Sequence, residues 1–385
     1  MKRILNIIFL AITMIAASPS IKAQPHLGDS AFAALITCGP GDEFYTTFGH
    51  SAIRICDSAQ NIDVVYNYGM FSFDIEHFYW TFAKGDLNYW VSRGSFNGFL
   101  FEYAYYGRAV WQQKLNITNQ ELNNLFVALE WNILPENKYY RYDFFMDNCA
   151  TRARDMIANC LSHRTIYTEQ RTKQDPTFRN EVYRCTEGTL LWWRFGIDML
   201  LGIRCDHHAS NAEQMFSPVN MMAQFDTLTF SDSHQPVVQP AEVILAETRT
   251  PLHRSISPTL TFWVFCVLTI CLTILSWAKH WHLRWFDAIL FFLIGLLSIV
   301  ILFLWIFSTH YCTKFNLNIL WCSPLFLYFA FRLRHLNRWT IMFQMALILV
   351  LMVAFWWMPQ QFNAAFFPIM LAIFVRLLDK LKAQQ

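Results

Sequence analysis

FGHSAIRI at residues 48–55 and DFFMDNCATRARD at residues 143–155 decide how this chain is read. The first is a strand-like apolar run whose histidine, His50, follows a glycine. The second leads into a helix with Cys149 at its first turn. Exposed N–H groups at a helix start carry partial positive charge, which favours thiolate over thiol. A histidine brought to that thiol from a strand would make a Cys–His pair, the minimum for nucleophilic catalysis by sulfur.

Working outward from these stretches, residues 28–56 read as a strand, a Gly/Pro turn (CGPGDE) and a second strand beginning at His50. DSAQN is a turn and IDVVYNYGMF the partner strand, so a hairpin is expected. Asn67 or a neighbour would then lie beside His50 and orient its ring, although a one-residue slip would change the face. Residues 66–106 are crowded with aromatics, read as core or, in part, as a surface dipping into a membrane interface or lining an acyl groove. Residues 118–132 carry a capping residue and apolar positions at helical spacing. Arg152 and Asp155 are expected to share one helical face as a surface ion pair.

The composition is 55% hydrophobic with 15% charged residues and a net charge of +2. No basic tract suits nucleic acid. Lys2 and Arg3, an apolar run over 4–17 and small Ala23 before Gln24 have the order of a secretory signal peptide, spanning 1–23. An exported domain is expected over 24–230, with a Pro- and Ser-bearing connector over 231–257. Five apolar segments follow, near 259–278, 285–307, 315–331, 339–358 and 362–378, each close to the ~20 residues that span a bilayer. Lys279, Arg284, Arg332, Arg334, Arg338, Lys380 and Lys382 fall between or after them on one side, with Arg376 at the end of the fifth, and the loops on the other side hold only Lys314. The positive-inside rule then puts the exported domain outside and the C-terminus inside. His310, Asn316 and Asn318 would sit at the outer membrane–water boundary, as a candidate substrate site or as ordinary interfacial residues.

Six cysteines lie in the exported half, and six allow 15 pairings, none of which the sequence selects. Cys38, beside Gly39, is a rival nucleophile. Cys205, Asp206, His207 and His208 invite a metal reading, but adjacent histidines rarely point at one ion, and no metal or cofactor is expected. GxSxG, HExxH, P-loop and Rossmann glycine patterns are absent from the sequence.

With CGPGDEFYTTFGHSAIRI, YNYGMFSF, DFFMDNCATRARD, PTFRN, FGIDMLLG and MFSP together, the chain resembles the Lnb-type family of bacterial lipoprotein N-acyltransferases. The resemblance implies an exported α+β domain followed by an all-α membrane bundle of five transmembrane helices in the bacterial cytoplasmic membrane. The exported half is similar in motif order to circularly permuted papain-like acyltransferases and amidases, lecithin:retinol acyltransferase among them. It implies Cys149 as nucleophile and His50 as its base, with Asn148 and Asp147 matching the residues beside the thiol. His310, Asn316 and Asn318 resemble a family pattern of His followed by Asn-x-Asn-x-Leu, although Tyr311 stands where proline is frequent. The implied donor is a membrane phospholipid, and the acceptor is the α-amino group of a diacylated lipoprotein. An exported cysteine peptidase or amidase acting on cell-wall peptides, and a non-enzymatic envelope assembly factor, are the competing readings.

Overall fold

In the computed structural model, which describes residues 26–161, 172, 174–187, 190–250 and 256–384, an antiparallel sheet with helices on both faces precedes a helical bundle. The expected signal peptide lies outside the described residues. The strands are β1 (Phe32–Cys38), β2 (His50–Asp57), β3 (Ile62–Met70), β4 (Asn88–Ser95), β5 (Val110–Lys114), β6 (Tyr139–Arg141) and β7 (Glu242–Leu245), in the spatial order β6-β4-β3-β2-β1-β5-β7. β7 comes from the stretch expected to be a connector: residues 242–245 close one edge of the sheet by pairing with β5.

Alternation along the strands sorts the core into two layers. Ala33, Leu35, Ile53, Ile55 and Tyr66 face one side, with Leu122, Leu125, Ala150, Ala153 and Ile157. That layer is built with helices α3 (Asn119–Asn132), α4 (Cys149–Asn159) and α8 (Pro218–Phe225). Ala34, Ile36, Cys38, Ala52 and Val65 face the other side, under Phe96, Phe99 and Tyr103 of α2 (Phe96–Tyr105). Shorter helices α1 (Phe78–Lys84), α5 (Phe178–Thr186), α6 (Leu191–Leu200) and α7 (Asn211–Gln214) complete this half.

The bundle contains α9 (Pro258–Lys279), α10 (Arg284–Ile306), α11 (Leu325–Phe331), α12 (Arg338–Ala354) and α13 (Phe366–Lys382). Among the described residues, only α9 and α10 are long and apolar enough to cross a membrane by themselves. The other three expected spans contain shorter helices, of 7 residues in α11 and 17 each in α12 and α13. The segment expected at 315–331 is a 3-10 turn, Leu317–Leu320, followed by the seven residues of α11. Its polar residues divert the backbone: Asn316 caps the turn by accepting from the Asn318 N–H, and Pro324 precedes α11. Gly295 lets α11 approach α10 closely, since a Cβ there would stand 2.6 Å from the Leu327 nitrogen.

Both ends of the bundle are defined by contacts. At one end Trp277 donates to Asp379 (2.7 Å), the Arg376 guanidinium forks onto Asp287 (2.6 and 2.9 Å), and Gln384 donates to the Leu336 carbonyl (2.7 Å). The basic segments around 279–284, 332–338 and 376–382 therefore gather there. At the other end, Asn316, Asn318, Gln360 and Asn363 bond to residues 198–201 of the exported half.

Candidate active site

Cys149 is the first residue of α4, and the helix begins there because Asn148 caps it. The Asn148 side-chain oxygen accepts from the Ala150 and Thr151 N–H groups (2.9 and 3.0 Å), and the Thr151 hydroxyl accepts from the Asn148 N–H (2.8 Å). The Asn148 amide nitrogen donates to the carbonyls of Phe144 and Phe216 (2.8 and 2.9 Å). Asn148 thus shapes the turn before the thiol, with both ends of its amide engaged. Asp147 accepts the Arg152 guanidinium, whose Nη2 lies 2.6 Å away, and Arg152 stacks 4.2 Å over the Tyr140 ring. The expected Arg152–Asp155 pair is not formed, because Asp155 accepts from Arg154 instead (2.7 Å).

His50 opens β2, and its Nε2 donates to Asn67 Oδ1 on β3 (2.5 Å). The ladder register sets Ile53 opposite Tyr66, so Asn67 is a diagonal neighbour of the His50 position. With Nε2 engaged, Nδ1 is the ring nitrogen left for Cys149. The register slips between Asn67 and Met70, and this bulge presents Gly69 to the site with φ of +86°. A Cβ on Gly69 would lie 3.3 Å from the Cys149 Cβ, 3.8 Å from His50 Cε1 and 4.0 Å from the Tyr140 hydroxyl. Three groups from different elements thus face one point that only a glycine leaves open. Gly69 was not singled out in the sequence, although a glycine inside an apolar strand is a recognised sign of close approach.

Burial works against ionisation of both partners, and their proximity overrides it. Burial alone would raise the Cys149 thiol, but the His50 charge and hydrogen bond, with N–H groups of Ser51 and Ala150, bring it below the ordinary thiol value. Burial would likewise lower His50, but Cys149 and Asn67 raise it above the ordinary imidazole value. Both side chains remain partly open to solvent. The rival Cys38 lies opposite His50 in the ladder but is fully buried, packed with Phe99 and Tyr103 of α2. Burial pushes its thiol far up, so it is a poor nucleophile.

The three bundle residues divide. His310 Nε2 donates to the Phe82 carbonyl (2.8 Å), and Nδ1 faces Asp143 at 3.9 Å. Asp143 Oδ2 also accepts the Tyr311 N–H (3.0 Å), while its Oδ1 accepts from Phe145 and Met146 (both 3.0 Å). Asp143 therefore ties the loop carrying Cys149 to the outer loop of the bundle, a link that sequence reading missed. Asn316 and Asn318 do not join it. Both are fully buried, with Asn316 donating to the Met199 carbonyl (2.9 Å) and Asn318 to those of Asp198 and Met199 (3.1 and 3.2 Å). They satisfy the orphan carbonyls at the end of α6.

The Cys205–His208 cluster does not converge. Asp206 bonds to the buried Arg179 (2.7 and 3.0 Å), His208 to the Asp175 carbonyl (2.5 Å) and His207 to the Arg204 carbonyl. Arg179 also donates to Asp198 (2.7 Å), which accepts from Tyr183 and Asn363. This network joins the two halves of the chain.

The family description of the Lnb N-terminal periplasmic domain matches residues 27–181, and that of the Lnb transmembrane domain matches residues 250–384. The chain belongs to the Lnb family. His50, Asn67, Gly69, Tyr140 and Cys149 all fall in the Lnb periplasmic part, and His310 in the Lnb membrane part. No curated protein and no solved structure matches the chain. As an Lnb protein it is a membrane protein with an exported N-terminal part.

Proposed function

We propose that this Lnb protein is a thiol-dependent lipoprotein N-acyltransferase, moving an acyl chain from a membrane phospholipid to the α-amino group of a diacylglyceryl cysteine. The observation that carries the mechanism is the Asn67–His50–Cys149 alignment, with the thiol lowered and the imidazole raised. Cys149 thiolate attacks the phospholipid ester carbonyl. The resulting tetrahedral intermediate expels the lysophospholipid alkoxide, which takes a proton from His50. The lipoprotein amine then attacks the thioester and gives its proton to His50, and the thiolate leaves. Asn67 holds the ring so that one nitrogen serves both steps. The Cys149 N–H, at the helix position before the two taken by Asn148, is a donor for the oxyanion. We read the arrangement as a permuted papain-like site, whose acyl transfer through a thioester needs no cofactor.

Five crossings fit this role, the third made of the 3-10 turn and α11 packed within the bundle, where irregular backbone is tolerated. The basic end then lies in the cytoplasm of a bacterial inner membrane. α1 lies at the outer surface: Trp80 packs 4.8 Å from Phe303 near the end of α10, and Tyr79 is 81% exposed. Its aromatics suit the headgroup layer and hold the thiol near the donor ester.

The test is mass spectrometry of lipoprotein N-termini in an N-acylation-deficient host. Wild type and Cys38→Ala add an acyl chain, and Cys149→Ala adds none. Acylation by Cys149→Ala would overturn the mechanism. Its absence with folded wild type would overturn the transferase reading and favour a peptidase or an assembly factor.

A further inference from the structure

Among the described residues, few buried side-chain polar atoms lack a hydrogen-bond partner, and one of them is the hydroxyl of Tyr140. Such groups are uncommon because each costs its hydration without return. An unpaired one at a reaction centre calls for a reason. Tyr140 sits on β6, the short edge strand paired to β4 through Tyr89, and its side chain is 8% exposed. Two contacts hold the ring: Arg152 lies 4.2 Å above it, and Tyr68 meets it edge-on at 6.4 Å. The rigid ring aims its oxygen at the point over Gly69 that Cys149 and His50 also face, 4.0 Å from where a Cβ would be.

We infer that the Tyr140 hydroxyl is an oxyanion donor, bonding the carbonyl oxygen of the acyl group while it is attached to Cys149. This rests on the acyl-transfer reading and adds a second donor, opposite the Cys149 N–H. The hydroxyl gives a hydrogen bond only. Its proton stays on the phenol, which burial holds neutral, well above the ordinary tyrosine range. The Gly69 N–H faces the oxygen as a donor, but no acceptor among the described residues takes the hydroxyl proton, so that bond forms only when substrate oxygen arrives. An interaction made in the transition state and missing in the free enzyme acts on kcat rather than on binding. The orphan hydroxyl is then the cost of a preorganised site.

The experiment compares wild type, Tyr140→Phe and Cys149→Ala as full-length protein in phospholipid nanodiscs. Three readings are taken: acylation of Cys149 by an activated fatty-acyl ester, iodoacetamide alkylation of Cys149, and the melting midpoint. Tyr140→Phe is expected to slow acylation by about a hundredfold, the loss typical of one oxyanion donor. Alkylation, which forms no oxyanion, stays within about twofold of wild type, because removing the hydroxyl leaves the thiolate–imidazolium pair. The melting midpoint stays level or rises, because an unsatisfied hydroxyl has been removed. Acylation unchanged in Tyr140→Phe would overturn the inference and leave the Cys149 mechanism standing. Parallel losses of alkylation and melting midpoint would make Tyr140 structural. Failure of wild type to acylate Cys149 would sink both readings.

Discussion

Asn67 Oδ1 accepts a hydrogen bond from His50 Nε2 at 2.5 Å across the β2–β3 ladder. The two residues are 17 apart in sequence, and the bond sets which imidazole nitrogen meets Cys149. Asn67→Ala removes the acceptor and lets the ring turn. Acyl transfer is expected to fall about a hundredfold, the low end of what a positioned acid–base group contributes. The fall should lie in kcat, measured with a defined lipopeptide acceptor.

The opposite shifts of Cys149 and His50 define a pH window. Thiolate persists as pH falls below the ordinary thiol value of about 8.5, and imidazolium persists as pH rises above about 6.5. Alkylation of Cys149, followed by mass spectrometry of its peptide, should remain fast at neutral pH and slow only in acid. Transfer should also fall in alkali, where His50 loses the proton owed to the leaving alkoxide. The pair's contribution to stability follows the same signs: it is lost as pH falls through the lowered Cys149 value and as pH rises through the raised His50 value.

Gly69→Ala places a methyl group where the three site groups converge, at a backbone φ of +86°. The conformation alone costs about 1–3 kcal/mol, and the methyl presses on the Cys149 Cβ. The variant should melt lower than wild type and acylate more slowly. A fully active Gly69→Ala would show that the space over Gly69 is not used.

Asp143 accepts three backbone N–H groups and faces the His310 ring. The His310 imidazole is raised above its ordinary value, Asp143 and the Phe82 carbonyl outweighing burial. A double-mutant cycle of Asp143→Ala and His310→Ala on acylation rate should give a coupling energy of about 1 kcal/mol, as for residues in one network. Strict additivity would separate the outer loop from the thiol loop.

Arg179 is fully buried with Asp198 and Asp206. Arg179→Met strands two carboxylates and should cost about 3–5 kcal/mol. Thermal unfolding in detergent checks this. Because Asp198 also accepts from Asn363, release of the exported half from the bundle should accompany the loss.

Much was legible in local pattern. The strand at His50, the hairpin to residue 70, the thiol at a helix start and the five apolar segments all rest on periodicity and capping, which act within a turn or a strand. Register was not legible, because a one-residue slip exchanges faces. Burial was not legible either, which is why Cys38, beside Gly39 and near His50 in sequence, looked competent.

The sequence by itself determined the candidates for the chemistry and the need for a membrane: a thiol after Asn148, a histidine after Gly49, and apolar runs near the length of a span. Only the tertiary structure decided which of them meet. It brought Asn67 and Cys149 to opposite nitrogens of one ring, buried Cys38 in the core and spent Asn316 and Asn318 on the carbonyls of α6. It also aimed an unpaired Tyr140 hydroxyl at the thiol. Each of these depends on contacts between residues from 12 to more than 100 positions apart, set by strand order, one bulge and the docking of two domains, and no local periodicity records them.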